Sequence, residues 1–398
     1  MPDVGFSLDV SPPVSPPIPP DPPPVSDEQR AAALSRAIAR ELAAAGPPGW
    51  QRLEAVFALT VTAGVAFVDY FDAPDRVVRR EPAPEVVEAA RGHREIAARL
   101  GAGPWWRMLL QLNRSGQLEV DHDYGDEPFP DDQLLTPEAY LLDLRAFPRP
   151  RLPIWLAAHI GHAGRQQRTP AAAAAADRAS GASAETAPDL PPLGDMWARW
   201  SVIAAVFAAI RSPMGPRMLP SLGYFEGAGR SGSTLCLLPG GRAVLSGGIW
   251  NDPALDDAYN GSGNMPHYFA GAPDWVANQV LNPRAAAGLL SFCYWWDRHH
   301  WRCGDSPAAT QLGEAVPGVW TADTTVDLIC GLIAPAPTAQ QRTAATALVN
   351  AAEAGAVTDR HLADLFGAAA DVDIPGAAYQ LTLAGVTADT EGITTNGR

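Results

Sequence analysis

The period of the apolar positions changes several times along the chain. From Ser26 to Ala45 apolar and small residues recur every three or four positions, which predicts a helix. Ser26 or Asp27 caps its start, and "GPPG" at 46–49 ends it. The next stretch, "EAVFALTVTAGVAFVDYFD", switches to β-branched and aromatic alternation and predicts a hairpin. A three-residue loop at Thr62-Ala63-Gly64 sets Val61 opposite Val65 and Leu59 opposite Phe67, with glycine third. Pro84 then opens a helix that runs to Gly101.

A second hairpin follows. "WWRMLLQLN" and "QLEVDHDY" flank Arg114-Ser115-Gly116. A two-residue loop would place Leu112 and Leu110 against Glu119 and Asp121. A three-residue loop pairs Leu112 with Leu118, Leu110 with Val120, Met108 with His122 and Trp106 with Tyr124. Side chains alternate faces along a strand, so this second register keeps one face apolar. The other face carries Glu119, Asp121 and Asp123, with Arg107 opposite Asp123. Thr136 and Pro137 start a helix that Pro148 stops. Residues 27–165 thus read as an antiparallel meander with flanking helices on one side, an α+β domain.

In the second half, "MWARWSVIAAVFAAI" predicts a buried helix and "STLCLLPGGRAVLSGG" a strand–turn–strand. "GIWNDPALDDAYNGSGNMPHYF" reads as a long loop region. Asn282-Pro283 starts a helix running through "RAAAGLLSFCYWW". Thr338 to Gln341 fits a capping box, and a further helix follows in "TDRHLADLFGAAA". Residues 193–390 are therefore expected to form a second α+β domain with a β-hairpin and a helical C-terminal end. Around the two domains lie a proline-rich segment, 1–26, a small and polar linker, 166–192, and a tail, 391–398. The first reads as a disordered or polyproline spacer, with a proline-motif ligand as the alternative.

Length supports the same division, since 398 residues suit two domains. No apolar run reaches the roughly 18–20 residues of a membrane helix, and no basic-then-apolar leader opens the chain. A cytoplasmic protein without membrane contact is expected. The formal net charge of −15 argues against nucleic-acid binding through phosphates. Every basic side chain except histidine is arginine, which in so alanine- and proline-rich a chain reads first as codon bias. The four cysteines, Cys236, Cys293, Cys303 and Cys330, form no C-x-x-C pair and read as free thiols.

Charge is concentrated in one place. Residues 1–168 hold 17 arginines against 23 acids. Seven of those acids lie within "LEVDHDYGDEPFPDD", at Glu119, Asp121, Asp123, Asp126, Glu127, Asp131 and Asp132, and no arginine does. A field of one sign attracts an oppositely charged partner. The stretch lacks the calcium-loop pattern of alternating acids, glycine and distal glutamate, so no metal is expected. A second cluster, "WWDRHHWRCGDS", holds His299, His300, Cys303 and Asp305 and offers the alternative of an enzyme built on a thiol–imidazole pair. Its spacing matches no zinc pattern. "GAGRSGS" at 227–233 lacks both the phosphate-loop order and the nucleophile elbow's last glycine, and reads as a turn. His159 and His162 read as histidines at a helix C-terminus. No cofactor is expected.

The run from Trp50 to Trp155 resembles the YezG-type immunity proteins. The resemblance rests on Trp105 and Trp106 opening a strand, Gly116 at the turn, "DYGDEP" at 123–128, Tyr140, Asp143, "FPR" at 147–149, and Trp155 after Pro153. Such proteins neutralise toxins by tight binding, so the resemblance implies a non-enzymatic role with a basic toxin as partner. The whole chain also resembles conserved mycobacterial and related actinobacterial proteins of unknown function, through "MWARW", "GRAVLSGG" and "GAPDWVANQVLNPRAA". Some of these sit near type VII secretion and toxin loci, which implies a secreted protein as the other candidate partner. Residues 193–398 and the proline-rich segment exceed a minimal immunity protein and fit a secretion accessory. A homo-oligomeric scaffold is the third reading.

Overall fold

The computed structural model describes residues 26–73, 76–167, 183–367 and 371–388, with positions 169, 172, 175, 179 and 181 between them. The proline-rich segment before Ser26 and the tail 391–398 lie outside the described residues, as does much of the expected linker. The fold is α+β, with two antiparallel sheets. The chain divides into two compact units: Met1–Tyr124 with Asp131–Leu135 and Arg145–Phe147, and Gly125–Pro130 with Thr136–Leu144 and Pro148–Arg398. The units therefore do not part at 166–192, where the composition placed a linker.

The first unit holds a five-stranded sheet in the order β3-β2-β1-β4-β5. The strands are β1 (Arg52–Leu59), β2 (Gly64–Ala73), β3 (Arg76–Arg80), β4 (Arg107–Asn113) and β5 (Leu118–Asp123). Leu53, Ala55, Phe57, Val68, Tyr70, Met108 and Leu110 are buried on one face, beneath helices α1 (Asp27–Ala45) and α2 (Pro84–Ala97). A capping box starts α1: Ser26 Oγ accepts from Gln29 N–H, and Gln29 Oε1 accepts from Ser26 N–H. Proline at its first turn starts α2, which closes at Ala97 rather than Gly101.

Two expectations need correction. The order is not a simple meander, because α2 carries the chain back so that β4 pairs with β1. The β1–β2 register is also shifted: Leu59 faces Gly64 and Val56 faces Phe67. Thr60 closes the turn one residue earlier than the glycine rule suggests. Its N–H donates to Ala63 O at 2.8 Å, and its Oγ1 accepts from Ala63 N–H at 3.1 Å.

The second unit holds the true meander. Strands β7 (Arg217–Leu219), β8 (Leu222–Glu226), β9 (Gly232–Leu238), β10 (Arg242–Gly248), β11 (Phe292–Trp296) and β12 (Trp301–Cys303) pair in chain order. The short β6 (Glu185–Thr186) adds to the β12 edge. Helix α3 (Pro137–Ala146) starts as expected after Thr136, and α4 (Ile154–Gly161) follows it. The expected buried helix is α5 (Leu193–Ala209), buried at every position from Met196 to Val206. It packs with α7 (Ala322–Ile333), α8 (Ala339–Glu353) and α10 (Ile374–Ala384) over one face of the sheet. Thr338 caps α8 as expected, and α9 (Asp359–Phe366) follows.

The long loop region contains one helix, α6 (Pro253–Asn260), capped by Asp252. The expected helix from Pro283 is a single 3-10 turn, Pro283–Ala287, stopped by Gly288 in left-handed backbone at φ 72°. "FCYWW" beyond it is strand β11. Phe292 and Tyr294 enter one core while Cys293 and Trp295 enter the other. A strand buried on both faces loses its alternation and reads as a helix.

Candidate functional site

The β4–β5 hairpin has the expected register at every pair, from Arg107 with Asp123 to Leu112 with Leu118. Gly116 supplies the left-handed residue, φ 90°, that the three-residue loop needs. Leu118 and Val120 join the core, and β5 ends the sheet. Glu119 and Asp121 are exposed on the opposite face.

The seven carboxylates differ in their surroundings. Arg107 pairs with the half-buried Asp123 and also donates to Gln133. Arg79 bridges Asp132 at 3.4 Å and Asp69 at 2.7 Å. Glu127 pairs with Arg230 at 2.6 Å. Glu119, Asp121, Asp126 and Asp131 have no ion pair among the described residues. Asp121 Oδ1 accepts the N–H of His122 at 2.8 Å, which satisfies one donor of the edge strand. Asp126 and Glu127 belong to the second unit, whereas the other five belong to the first. In the second unit, the Trp155 indole donates to Gly125 O at 2.7 Å and meets Phe129 edge-on.

The thiol–histidine cluster does not assemble into a catalytic pair. His299 and His300 sit exposed in the β11–β12 turn. Asp297 organises that turn by accepting both their N–H groups, at 3.0 and 2.9 Å, and the guanidinium of Arg302. Against the opposing effect of burial, these donors hold the Asp297 carboxyl at about 2. Cys303 lies beside Tyr294 in the ladder, and no hydrogen bond joins it to either histidine among the described residues. Burial, then Glu185 and Asp305, push its thiol pKa up, the reverse of an activated nucleophile. Asp305 accepts the N–H of His267 instead.

The remaining motifs have structural roles. "GAGRSGS" turns from β8 into β9, with Arg230 at φ 64°. His159 meets Tyr140 edge-on, and His162 Nδ1 accepts from Gly164 N–H just past α4. All four cysteines are free and buried. Among the described residues no group of three or more potential ligands could hold a metal ion, and no helix is long and apolar enough to cross a membrane.

The sequence patterns do not reveal a cleft of about 400 Å³ in the second unit, lined by Tyr224, Glu226, Thr234, Ser246, Arg284 and Leu289. Its one sequence signal is glycine inside strands, at Gly232, Gly247 and Gly248, where a close approach excludes a side chain. The chain matches no protein-family model and no curated protein.

Proposed function

We propose that this chain is a non-enzymatic binding protein of the cytoplasm that recognises a basic protein partner through the acidic edge of its β4–β5 hairpin. The observation that carries this reading is the division among the carboxylates. Asp123 and Asp132 are held by arginines of their own unit, whereas Glu119 and Asp121 face solvent on an edge strand without ion pairs. Fixed, unneutralised charges on a rigid strand steer an oppositely charged partner and act mainly on the association rate. The resemblance to immunity proteins and to proteins near secretion loci supports the finer reading, in which the partner is a basic toxin or a type VII-secreted protein.

The test is capture of partners by the tagged chain from its own cell lysate at low and high salt, with Glu119→Gln/Asp121→Asn alongside. Association with the captured partner is then timed with purified components. Both substitutions are exposed and isosteric, so the fold is expected to persist. A basic partner should associate roughly tenfold more slowly with the variant at low salt, and the difference should shrink at high salt. Equal rates for both chains at low salt would return these carboxylates to the role of a solvated strand face.

A further inference from the structure

The sheet of the second unit is covered by helices on one face. On the other it is covered by a cluster that includes Leu255, Tyr268, Val276 and Ile154. Beside β8 this second cover leaves the cleft of about 400 Å³, within the roughly 300–1,000 Å³ of small-ligand sites. Its floor is set by register. Tyr224 pairs with Thr234, and Thr234 with Ser246, so the three side chains stand in a row on one face. The two hydroxyls lie 3.4 Å apart, and Tyr224 is 40 % exposed.

The rim holds one cation and one anion. Arg284 reaches over from the Pro283–Ala287 turn, and its Nη2 donates to both oxygens of Glu226, at 2.9 and 2.7 Å. It approaches the sheet closely because glycines lie beneath it. A Cβ on Gly232 would come within 2.8 Å of Arg284 Nη2, and one on Gly248 within 2.7 Å of Arg284 Cδ. The pair is partly exposed, with the Glu226 side chain 57 % accessible, so its ions separate at small cost.

A ligand that carries an ammonium and a carboxylate on one carbon can replace this ion pair group for group. Its carboxylate meets Arg284 and its ammonium meets Glu226. A ligand with only one charge strands the other rim ion. Tyr224 and Leu289 offer an apolar wall, and the floor hydroxyls offer further polar contacts. We propose that this cleft binds a free α-amino acid with an apolar or aromatic side chain.

Calorimetric titration of the full chain with L-phenylalanine and L-leucine tests this, with N-acetyl-L-phenylalanine and L-phenylalaninamide as single-charge probes. The free amino acids should bind, and each blocked form should bind at least about tenfold more weakly. Glu226→Gln, at an exposed position, should keep the melting temperature and weaken the free amino acid about tenfold, while N-acetyl-L-phenylalanine is spared. Absence of binding by both free amino acids, equal binding of free and blocked forms, or an unchanged affinity in Glu226→Gln would each overturn the assignment.

Discussion

His93 is 2 % exposed, stacked on His122 with ring centroids 5.0 Å apart, and its Nδ1 accepts the Trp105 indole N–H at 3.1 Å. Nearby, Arg94 donates to Trp105 O. Burial first, and then the charge of His122, lower the His93 pKa to about 4 from an ordinary 6.5. The sign follows from proton counting. Between those values the unfolded chain binds a proton that the folded chain refuses, so stability is complete above pH 6.5 and drains as pH falls toward 4. At 1.36 kcal/mol per unit, the fall from pH 6.5 to 5 costs about 2 kcal/mol, and carboxylates of ordinary pKa stay ionised over that window. His122, also lowered by burial, acts in the same direction. Urea unfolding across pH 7 to 5 should show this slope, and His93→Phe should flatten it. An unchanged slope in the variant would place the proton uptake elsewhere.

At the scale of elements, two hairpins separate what alternation encodes from what it does not. In β4–β5, the three-residue loop sets Leu110 opposite Val120 and Leu112 opposite Leu118, where the two-residue alternative sets them against Asp121 and Glu119, and the chain adopts the apolar pairing. In β1–β2 the residues beside the turn, Val56 to Leu59 and Gly64 to Val68, are all apolar or small, so they mark no register locally, and the hydrogen bonds of Thr60 set the turn instead. The two glycines make this measurable. Gly116 sits at φ 90° with no atom within 4 Å of where a Cβ would stand, so Gly116→Ala should cost about 1–2 kcal/mol in backbone strain alone, and Gly116→Asn should recover part of it. Gly64 has no left-handed backbone; its Cβ would crowd Leu59 and approach Ala58 O at 3.2 Å, so asparagine should not rescue it. Equal rescue at both sites in thermal melts would contradict these roles. The acidic hairpin was legible for the same reason as its register, since charge and alternation are local. The cleft was not, because Tyr224, Thr234, Ser246 and Arg284 come from three strands and a distant turn that only the meander brings together.

At the scale of the whole molecule, composition and contacts place the division differently. A break at 166–192 follows from small, polar residues, yet the segments Gly125–Pro130, Thr136–Leu144 and Pro148 onward belong to the second unit. Helix α4 shows why. Leu156 and Ala158 are fully buried, and Ile154 shares a cluster with Val244 and Trp295 of the sheet. Polar contacts reinforce it. Asn260 exchanges hydrogen bonds with the Leu152 backbone, Arg151 pairs with Asp256, and the buried Gln166 side chain bonds both N–H and O of Leu290. A fragment ending at residue 165 would therefore carry Ile154 without the cluster that buries it, and a fragment starting at 193 would lose Ile154 and the Gln166 side chain from the cover of that sheet face. Both fragments should bind a hydrophobic dye such as ANS and associate in light scattering, where the full chain does neither. Two monomeric, dye-silent fragments with cooperative melts would show that composition, rather than contact, marks the independent folding units.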